Sequence, residues 1–181
     1  MVATGGLKGL FAARHRRALL RRRFPDATLE PYVLIKGPLE NLVLEGRVVI
    51  QSGSVLHLGG MRWCEWVGHI SLGEGSVVSP NCVLYGSGSG GIRIGRRFDC
   101  GPGVGIFASR TDYERGPGHH IFAPVAIGDD VTVFANAVIS PGVTIGSRAT
   151  IGACTVVTRD VPDDALVVGN PARVVRNHVR S

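Results

Sequence analysis

The sequence predicts an all-β fold, a left-handed parallel β-helix of hexapeptide repeats with a short N-terminal α-helix. Two observations lead to this prediction: apolar residues recur every six positions in the second half of the chain, and the composition favours many short strands. Glycine accounts for 26 of the 181 residues and aromatic residues for only 6%, so small and β-branched side chains must fill the core. A chain of this length is expected to form one domain.

The repeat is clearest from Ile127 onward, where two apolar series run in step. The first series is Ile127, Val133, Ile139, Ile145, Ile151 and Val157, and the second is Val131, Ala137, Val143, Ala149 and Thr155. One alternating strand spanning these positions would far exceed the usual length of about 3–10 residues. We therefore expect short strands separated by corners, with three hexapeptides closing one coil and roughly six coils in all.

Three segments are expected along the chain. Residues 1–24 hold one lysine and six arginines without an acid, and their apolar residues follow a rough helical spacing, so we interpret residues 1–26 as a basic amphipathic helix. This helix either caps the open end of the solenoid or contacts an anionic membrane surface. Residues 27–161 are expected to form the β-helix, with a loop insertion at 107–124, and residues 162–181 a C-terminal tail.

Charge and hydropathy argue against several classes of protein. Beyond residue 24 the chain carries 13 basic and 14 acidic side chains, so we expect no basic face for nucleic acid. No apolar run is long enough for a secretory signal or a membrane span, and the four cysteines form no CxxC pair. These features indicate a cytoplasmic protein.

Residues 123–176 resemble the hexapeptide-repeat acyltransferases, and especially the sugar O-acetyltransferases. The stretch reads APVAIGDDVTVFANAVISPGVTIGSRATIGACTVVTRDVPDDALVVGNPARVVR, and IRIGRRFDCGPGVGIFAS upstream is also similar to the family. The resemblance implies a homotrimer in which acetyl-CoA or another acyl-CoA lies in the groove between neighbouring subunits. It also implies transfer of the acyl group to a hydroxyl or amine of a sugar or small-molecule acceptor, and it implies no metal.

The resemblance also assigns a cofactor site. Small residues at the corners, here Ala135 and Ala153, would let the pantetheine arm approach the backbone. The family's GNPA segment, residues 169–172 of this chain, would fold back near the nucleotide. Arg159, Arg173 and Arg176 would then be the partners of its phosphates.

The family's catalytic histidine has no direct counterpart here. Members commonly carry a loop motif such as T-H-D-Y, and this chain has Arg110-Thr111-Asp112-Tyr113, so Thr111 fills the histidine position. Threonine cannot take the proton of the acceptor, a role suited to imidazole. Since His119 and His120 follow in the same insertion, one of them could fold back into that place, with Asp112 orienting it.

Three other interpretations stay open. Asp112 is itself a base if its pocket is shielded, or the protein is a catalytically silent β-helix that only binds. A third is a metal enzyme similar to γ-class carbonic anhydrases, which would draw on His57, His69, His119 and His120. The histidines show no characteristic ligand spacing, which argues against this third interpretation.

Overall fold

A computed structural model describes residues 15–16, 18–60, 64 and 67–177 of the chain. Residues 15, 16 and 18–23 are α-helical, and the rest of the predicted helical segment before residue 18 lies outside the described residues. A short 3-10 helix covers Leu39–Asn41. No helix in the part of the chain that the structure describes is long and apolar enough to cross a membrane.

The described residues otherwise form short β-strands. The first eleven are β1 (Thr28–Leu29), β2 (Leu34–Lys36), β3 (Leu42–Leu44), β4 (Val49–Ile50), β5 (Val55–His57), β6 (Ile70–Leu72), β7 (Val77–Val78), β8 (Val83–Tyr85), β9 (Ile92–Ile94), β10 (Asp99–Cys100) and β11 (Gly105–Phe107). The others are β12 (Ser109–Thr111), β13 (His120–Phe122), β14 (Val125–Ile127), β15 (Thr132–Val133), β16 (Val138–Ile139), β17 (Thr144–Ile145), β18 (Thr150–Ile151), β19 (Val156–Val157), β20 (Ala165–Val168) and β21 (Arg173–Asn177).

Each of the first five coils contributes one strand to each of three sheets, and the strands of successive coils pair in parallel. Sheet A runs in the order β1-β4-β7-β10-β15-β18-β20-β21, sheet B contains β2, β5, β8, β11, β16 and β19, and sheet C contains β3, β6, β9, β14 and β17. A parallel bridge between Ile145 and Val161 closes the sixth coil on the side of sheet C. This is the predicted left-handed parallel β-helix of about six coils.

The hexapeptide series point into the core. Every residue of the two series between Ile127 and Val157 exposes at most 4% of its surface. The first series lies on the strands, and the second lies beside the corners that precede them. The sequence repeat therefore corresponds to the inner surface of the solenoid, as predicted.

The solenoid continues past residue 161, where the sequence predicts a tail. Strand β20 pairs in parallel with β18 on sheet A, and its Ala165 and Val167 are buried. Strand β21 then returns antiparallel along β20. The coil extends this far because Ala165 and Val167 still supply the inward small and β-branched residues that the core needs.

Three successive coils carry insertions at the same corner, between sheets B and C. They are residues 58–69, 86–91 and 108–124, which follow β5, β8 and β11 respectively. Gly68 forms an antiparallel bridge with Ser87, so the first two insertions are in contact. The longest insertion carries the antiparallel hairpin of β12 and β13. This corner therefore concentrates the irregular segments of the protein, which is where binding residues are often found.

Candidate active site

The hairpin of the longest insertion brings Thr111 and His120 together. They are direct cross-strand partners. The N–H of Asp112 donates to the carbonyl oxygen of His119 at 2.9 Å, and that of Ala123 donates to Ala108 at 3.0 Å. Hydrogen-bonded pairs alternate with non-hydrogen-bonded ones in such a ladder, so Thr111 and His120 are a non-hydrogen-bonded pair, the class of pair whose Cα atoms generally lie about 4.5 Å apart. Their side chains leave the same face of the hairpin.

That face is turned toward the β-helix. Ser109 and Phe122 form the next non-hydrogen-bonded pair on it, and Ser109 exposes only 8% of its surface. The ring of Phe122 lies against Gly88 of the neighbouring insertion, at the place where a Cβ atom would stand. The imidazole of His120 lies beside it, with ring centroids 6.3 Å apart.

A pocket of about 200 Å³ separates the hairpin from sheet B. Its lining residues are Tyr85, Phe107, Ser109, Arg110, Thr111 and His120. The Tyr85 and Phe107 rings come from paired strands of sheet B, and their centroids are 6.3 Å apart. The pocket thus combines an aromatic floor with hydroxyl and imidazole groups from the hairpin, a set suited to a small polar ligand.

A buried histidine packs against the aromatic floor of the pocket. His57 is the neighbour of Tyr85 on sheet B, and the two rings stack with centroids 4.5 Å apart. His57 Nδ1 and Ser87 Oγ share a hydrogen bond of 2.8 Å, whose donor depends on the imidazole tautomer. Burial lowers the pKa of His57 below its ordinary value of 6.5, and the positive charge of Lys36 lowers it further. The imidazole is therefore neutral at neutral pH.

The other two predicted catalytic residues lie elsewhere. His119 is exposed and, as the partner of Asp112 in a hydrogen-bonded pair, projects from the opposite face of the hairpin. The Asp112 carboxylate contacts residues of the hairpin turn. Its Oδ1 accepts from the N–H of Glu114 at 3.1 Å, and its Oδ2 lies 3.7 Å from Arg115 Nε. The structure therefore places His120 in the pocket, and it brings neither His119 nor Asp112 to the pocket wall.

Ala135 and Ala153 stack on successive coils at the corner between sheets A and B. The N–H of Cys154 donates to the carbonyl oxygen of Ala135 at 3.0 Å. A Cβ on Gly101, one coil below, would come within 2.7 Å of the Ala135 nitrogen. Phe134, which precedes Ala135, exposes 51% of its surface. This corner is tightly stacked and has one exposed aromatic ring beside it.

The three predicted phosphate-binding arginines are exposed but do not share one element. Arg173 and Arg176 lie on β21, and the N–H of Ala172 donates to the carbonyl oxygen of Val156 at 2.9 Å, which folds the GNPA segment over the last coil. Arg159 lies after β19, at the corner between sheets B and C. The structure thus groups Arg173 with Arg176 and sets Arg159 on a different corner.

Sequence reasoning missed the aromatic floor and its support. Tyr85 and Phe107 each directly follow an inward residue of sheet B, and so does His57. Rings at this repeat position in three successive coils could have predicted a column of stacked rings on the outer surface of sheet B. The bond between Ser87 and His57 joins residues 30 positions apart and had no signal in the spacing.

The histidines do not assemble a metal site in the described chain. Among the residues that the structure describes, no group of three or more His, Cys, Asp or Glu side chains is arranged to hold a metal ion. His57 is hydrogen-bonded to Ser87 and stacked on Tyr85. Burial lowers the pKa of His69, and the charge of Arg93 lowers it further.

Comparison with known proteins places the chain in a family. A model of the bacterial transferase hexapeptide (six repeats) matches residues 124–159. A provisionally named acetyltransferase of Schizosaccharomyces pombe is 30% identical over 175 residues, which cover 92% of this chain and 83% of that protein. One from Saccharomyces cerevisiae is 33% identical over 117 residues, and this match spans 63% of this chain and only 59% of the yeast protein.

Solved structures show the same architecture. A hexapeptide-repeat-containing acetyltransferase from Vibrio cholerae, complexed with acetyl coenzyme A, is 28% identical with a TM-score of 0.58, covering 91% of this chain and 77% of that one. The N-acyltransferase AntD from Bacillus cereus shares the fold with a TM-score of 0.77 at 20% identity, covering 91% of this chain and 89% of that one. With the repeats, the coil geometry and a relative matched over most of its length, the chain belongs to the hexapeptide-repeat acyltransferase family.

Proposed function

We propose that this protein transfers an acyl group from coenzyme A to a hydroxyl or amine of a sugar or other small-molecule acceptor, with His120 as the general base. The observation that carries the proposal is the pairing of His120 with Thr111 on the pocket face of the hairpin. This pairing puts an imidazole next to the position where the family usually has its histidine.

The chemistry follows from that placement. The imidazole of His120 removes the proton of the acceptor as its oxygen or nitrogen attacks the thioester carbonyl. The carbon–sulfur bond then breaks, and the imidazolium returns the proton to the departing thiolate of coenzyme A. No acyl-enzyme is needed, and Cys154, which lies at the corner beside Ala135, takes no part in bond making.

Family membership and the Vibrio cholerae neighbour with its bound acetyl coenzyme A support coenzyme A as the donor. The corner of Ala135 and Ala153 and the pair Arg173 and Arg176 are the proposed contacts of the pantetheine arm and the phosphates. The acetyl group is the first acyl chain to test.

Assembly as a homotrimer is part of the proposal. The exposed apolar side chains of Phe134, Val168 and Val174 support an association that covers this side of the solenoid. Analytical ultracentrifugation should give a particle of three times the 19.1 kDa chain mass. A monomer at micromolar concentration would contradict the shared groove.

Release of the coenzyme A thiol tests the function. The full chain is incubated with acetyl-CoA and a panel of sugar hydroxyl and amine acceptors, and the thiol is measured with a colorimetric reagent. We expect acceptor-dependent release that His120→Gln lowers by roughly 10²- to 10⁴-fold in kcat, while His119→Gln stays near the unmutated rate. If acetyl-CoA binds, as measured by calorimetry, but no acceptor is acylated, the protein is the silent binding module; if it does not bind, the acyltransferase proposal fails.

A further inference from the structure

A glycine-rich insertion lies directly behind the pocket. Residues 86–91 read GSGSGG and connect β8, which ends with Tyr85, to β9. The segment is anchored by main-chain bonds: the N–H of Gly86 donates to the carbonyl oxygen of His57 at 2.9 Å, and that of Gly88 donates to Val67 at 2.8 Å. It is therefore part of the packed corner and fixed to the preceding coil.

One side of the insertion holds the floor of the pocket. The Ser87 side chain is fully buried and His57 exposes only 4% of its surface, so their 2.8 Å hydrogen bond is shielded from solvent and fixes the imidazole plane. The fixed imidazole in turn stacks on Tyr85 with an interplanar angle of 29°. Ser87 thus sets the orientation of a ring that lines the pocket, without touching the pocket itself.

The other side of the insertion receives the hairpin. Gly88 has φ +94°, a conformation that glycine adopts without cost, and the Phe122 ring occupies the space where its Cβ would stand. Two positions further on, a Cβ on Gly90 would collide with Pro124, at the end of the hairpin. Phe122 lies beside His120 on the same hairpin face. A side chain at residue 88 would therefore push the hairpin, and His120 with it, away from sheet B.

We propose that the insertion at residues 86–91 positions the acyl-transfer pocket from both sides, with Ser87 holding His57 against Tyr85 and Gly88 seating Phe122 beside His120. This inference rests on the proposed function, since it assigns positioning residues to the same pocket. Its physical basis is that a general base works only within hydrogen-bond reach of the proton, and a misplacement of about 1 Å can lower the rate by roughly 10²-fold.

The test compares Gly88→Ala with Gly116→Ala in the full chain. Gly116 is a matched control because it also has a positive φ, +81°, and a Cβ there would meet nothing within 4 Å, so the pair separates collision with Phe122 from backbone strain. For Gly88→Ala we expect kcat to fall by about 10²-fold. The KM for acetyl-CoA should stay within about twofold of the unmutated value, because the proposed contacts of the pantetheine arm and the phosphates lie outside the pocket. For Gly116→Ala we expect kcat within about threefold of the unmutated value.

Rescue adds a readout that general destabilisation would not give. In Gly88→Ala, the second substitution Phe122→Leu makes room for the methyl group, so we expect it to recover about tenfold of the lost kcat. If Gly88→Ala does not fold, Ser87→Ala tests the other side, with a raised acceptor KM and an unchanged acetyl-CoA KM as the expected result. Unmutated kcat and KM values in folded Gly88→Ala and Ser87→Ala would overturn the inference.

The NMR signals of the His120 imidazole separate this inference from the proposed function. Gly88→Ala should shift them and Gly116→Ala should not, whether or not the protein turns over substrate. Shifted signals together with an unimpaired His120→Gln variant would refute the role of His120 as base while supporting the positioning. Unshifted signals in Gly88→Ala would refute the positioning alone.

Discussion

Thr111 and His120 face each other across the β12–β13 hairpin as a non-hydrogen-bonded pair, the geometry that brings cross-strand side chains closest. The His120 imidazole thus lines the pocket from the returning strand, β13. The position at which the family usually carries its histidine, Thr111, lies on the outgoing strand, β12. The position of the His120 imidazole depends on the register of one short hairpin. Substitutions at Thr111 and His120 can therefore test it directly.

Exchanging the pair tests whether the pocket accepts an imidazole from either strand. His120→Thr alone should lower kcat by roughly 10²- to 10⁴-fold, and addition of Thr111→His should restore much of that loss because the imidazole returns to the same face. Thiol release at saturating acetyl-CoA measures both variants. A double variant as inactive as His120→Thr would show that the two positions are not equivalent.

Asp112 should prove to be a turn residue. Because its carboxylate is engaged by Glu114 and Arg115, Asp112→Asn keeps the acceptor for the Glu114 N–H and loses only a long ion pair to an exposed arginine, worth about 0–1 kcal/mol. We expect kcat within about threefold of the unmutated value, since the side chain does not act on the acceptor. A loss as large as that of His120→Gln would identify Asp112 as part of the proton transfer.

Truncating a buried residue of the hexapeptide series should lower the free energy of unfolding, whereas truncating its outward neighbour should change it little. Ile145 exposes 1% of its surface, so Ile145→Ala should lower the free energy of unfolding by about 2–5 kcal/mol through lost contacts and a cavity. The adjacent Thr144 is exposed, and Thr144→Ala should change it by no more than about 0.5 kcal/mol. Urea denaturation at one fixed protein concentration measures both, and equal effects would contradict the assigned register.

His57 should make the fold acid-sensitive. Burial, with the charge of Lys36, holds its pKa below 6.5 in the folded protein, so the unfolded chain takes up the proton at higher pH than the folded one does. Its contribution to stability is therefore complete above pH 6.5 and is lost as the pH falls from there toward the folded-state pKa. His69, whose pKa burial also lowers, acts in the same direction. His57→Gln should flatten the decline in unfolding free energy below about pH 6.5, and parallel curves for the two proteins would refute this.

The arginine that contacts the 3′-phosphate can be identified by comparing acetyl-CoA with dephospho-acetyl-CoA as acyl donors. If Arg173 contacts the 3′-phosphate of coenzyme A, Arg173→Ala should raise the KM for acetyl-CoA about tenfold and change little with the dephospho form, which lacks this phosphate. Arg159→Ala is the control from a different corner and should have the smaller effect. Equal effects of the two substitutions on both donors would place the nucleotide elsewhere.

The fold was largely readable from the sequence because a solenoid repeats one local pattern. Ile127 and its successors every six residues are buried as their spacing predicts, and the long insertion appears where the pattern breaks. The end of the solenoid was harder to place, because residues 162–164 interrupt the pattern with proline and two aspartates before Ala165 and Val167 resume it.

The site could be predicted only in part, and the hairpin shows why. The sequence placed His119 and His120 in the right insertion, but a strand shows alternate residues on opposite faces, so a slip of one residue would exchange their roles. The turn around Gly116 and Gly118 indicates that the chain reverses without fixing which residues pair. Similarly, the contact of Ser87 with His57 arises from the stacking of two coils, which no local motif records.

A crystal structure of the protein with bound coenzyme A would fix the thiol relative to the hairpin and so decide whether His120 can act as the base. We expect the sulfur to end in the pocket of Tyr85, Phe107 and His120, with an imidazole nitrogen within roughly 3–4 Å of the site of attack, directly or through one water. A thiol that ends at a distant surface, with His120 turned away from it and no imidazole near the sulfur, would contradict the role of His120 in acyl transfer.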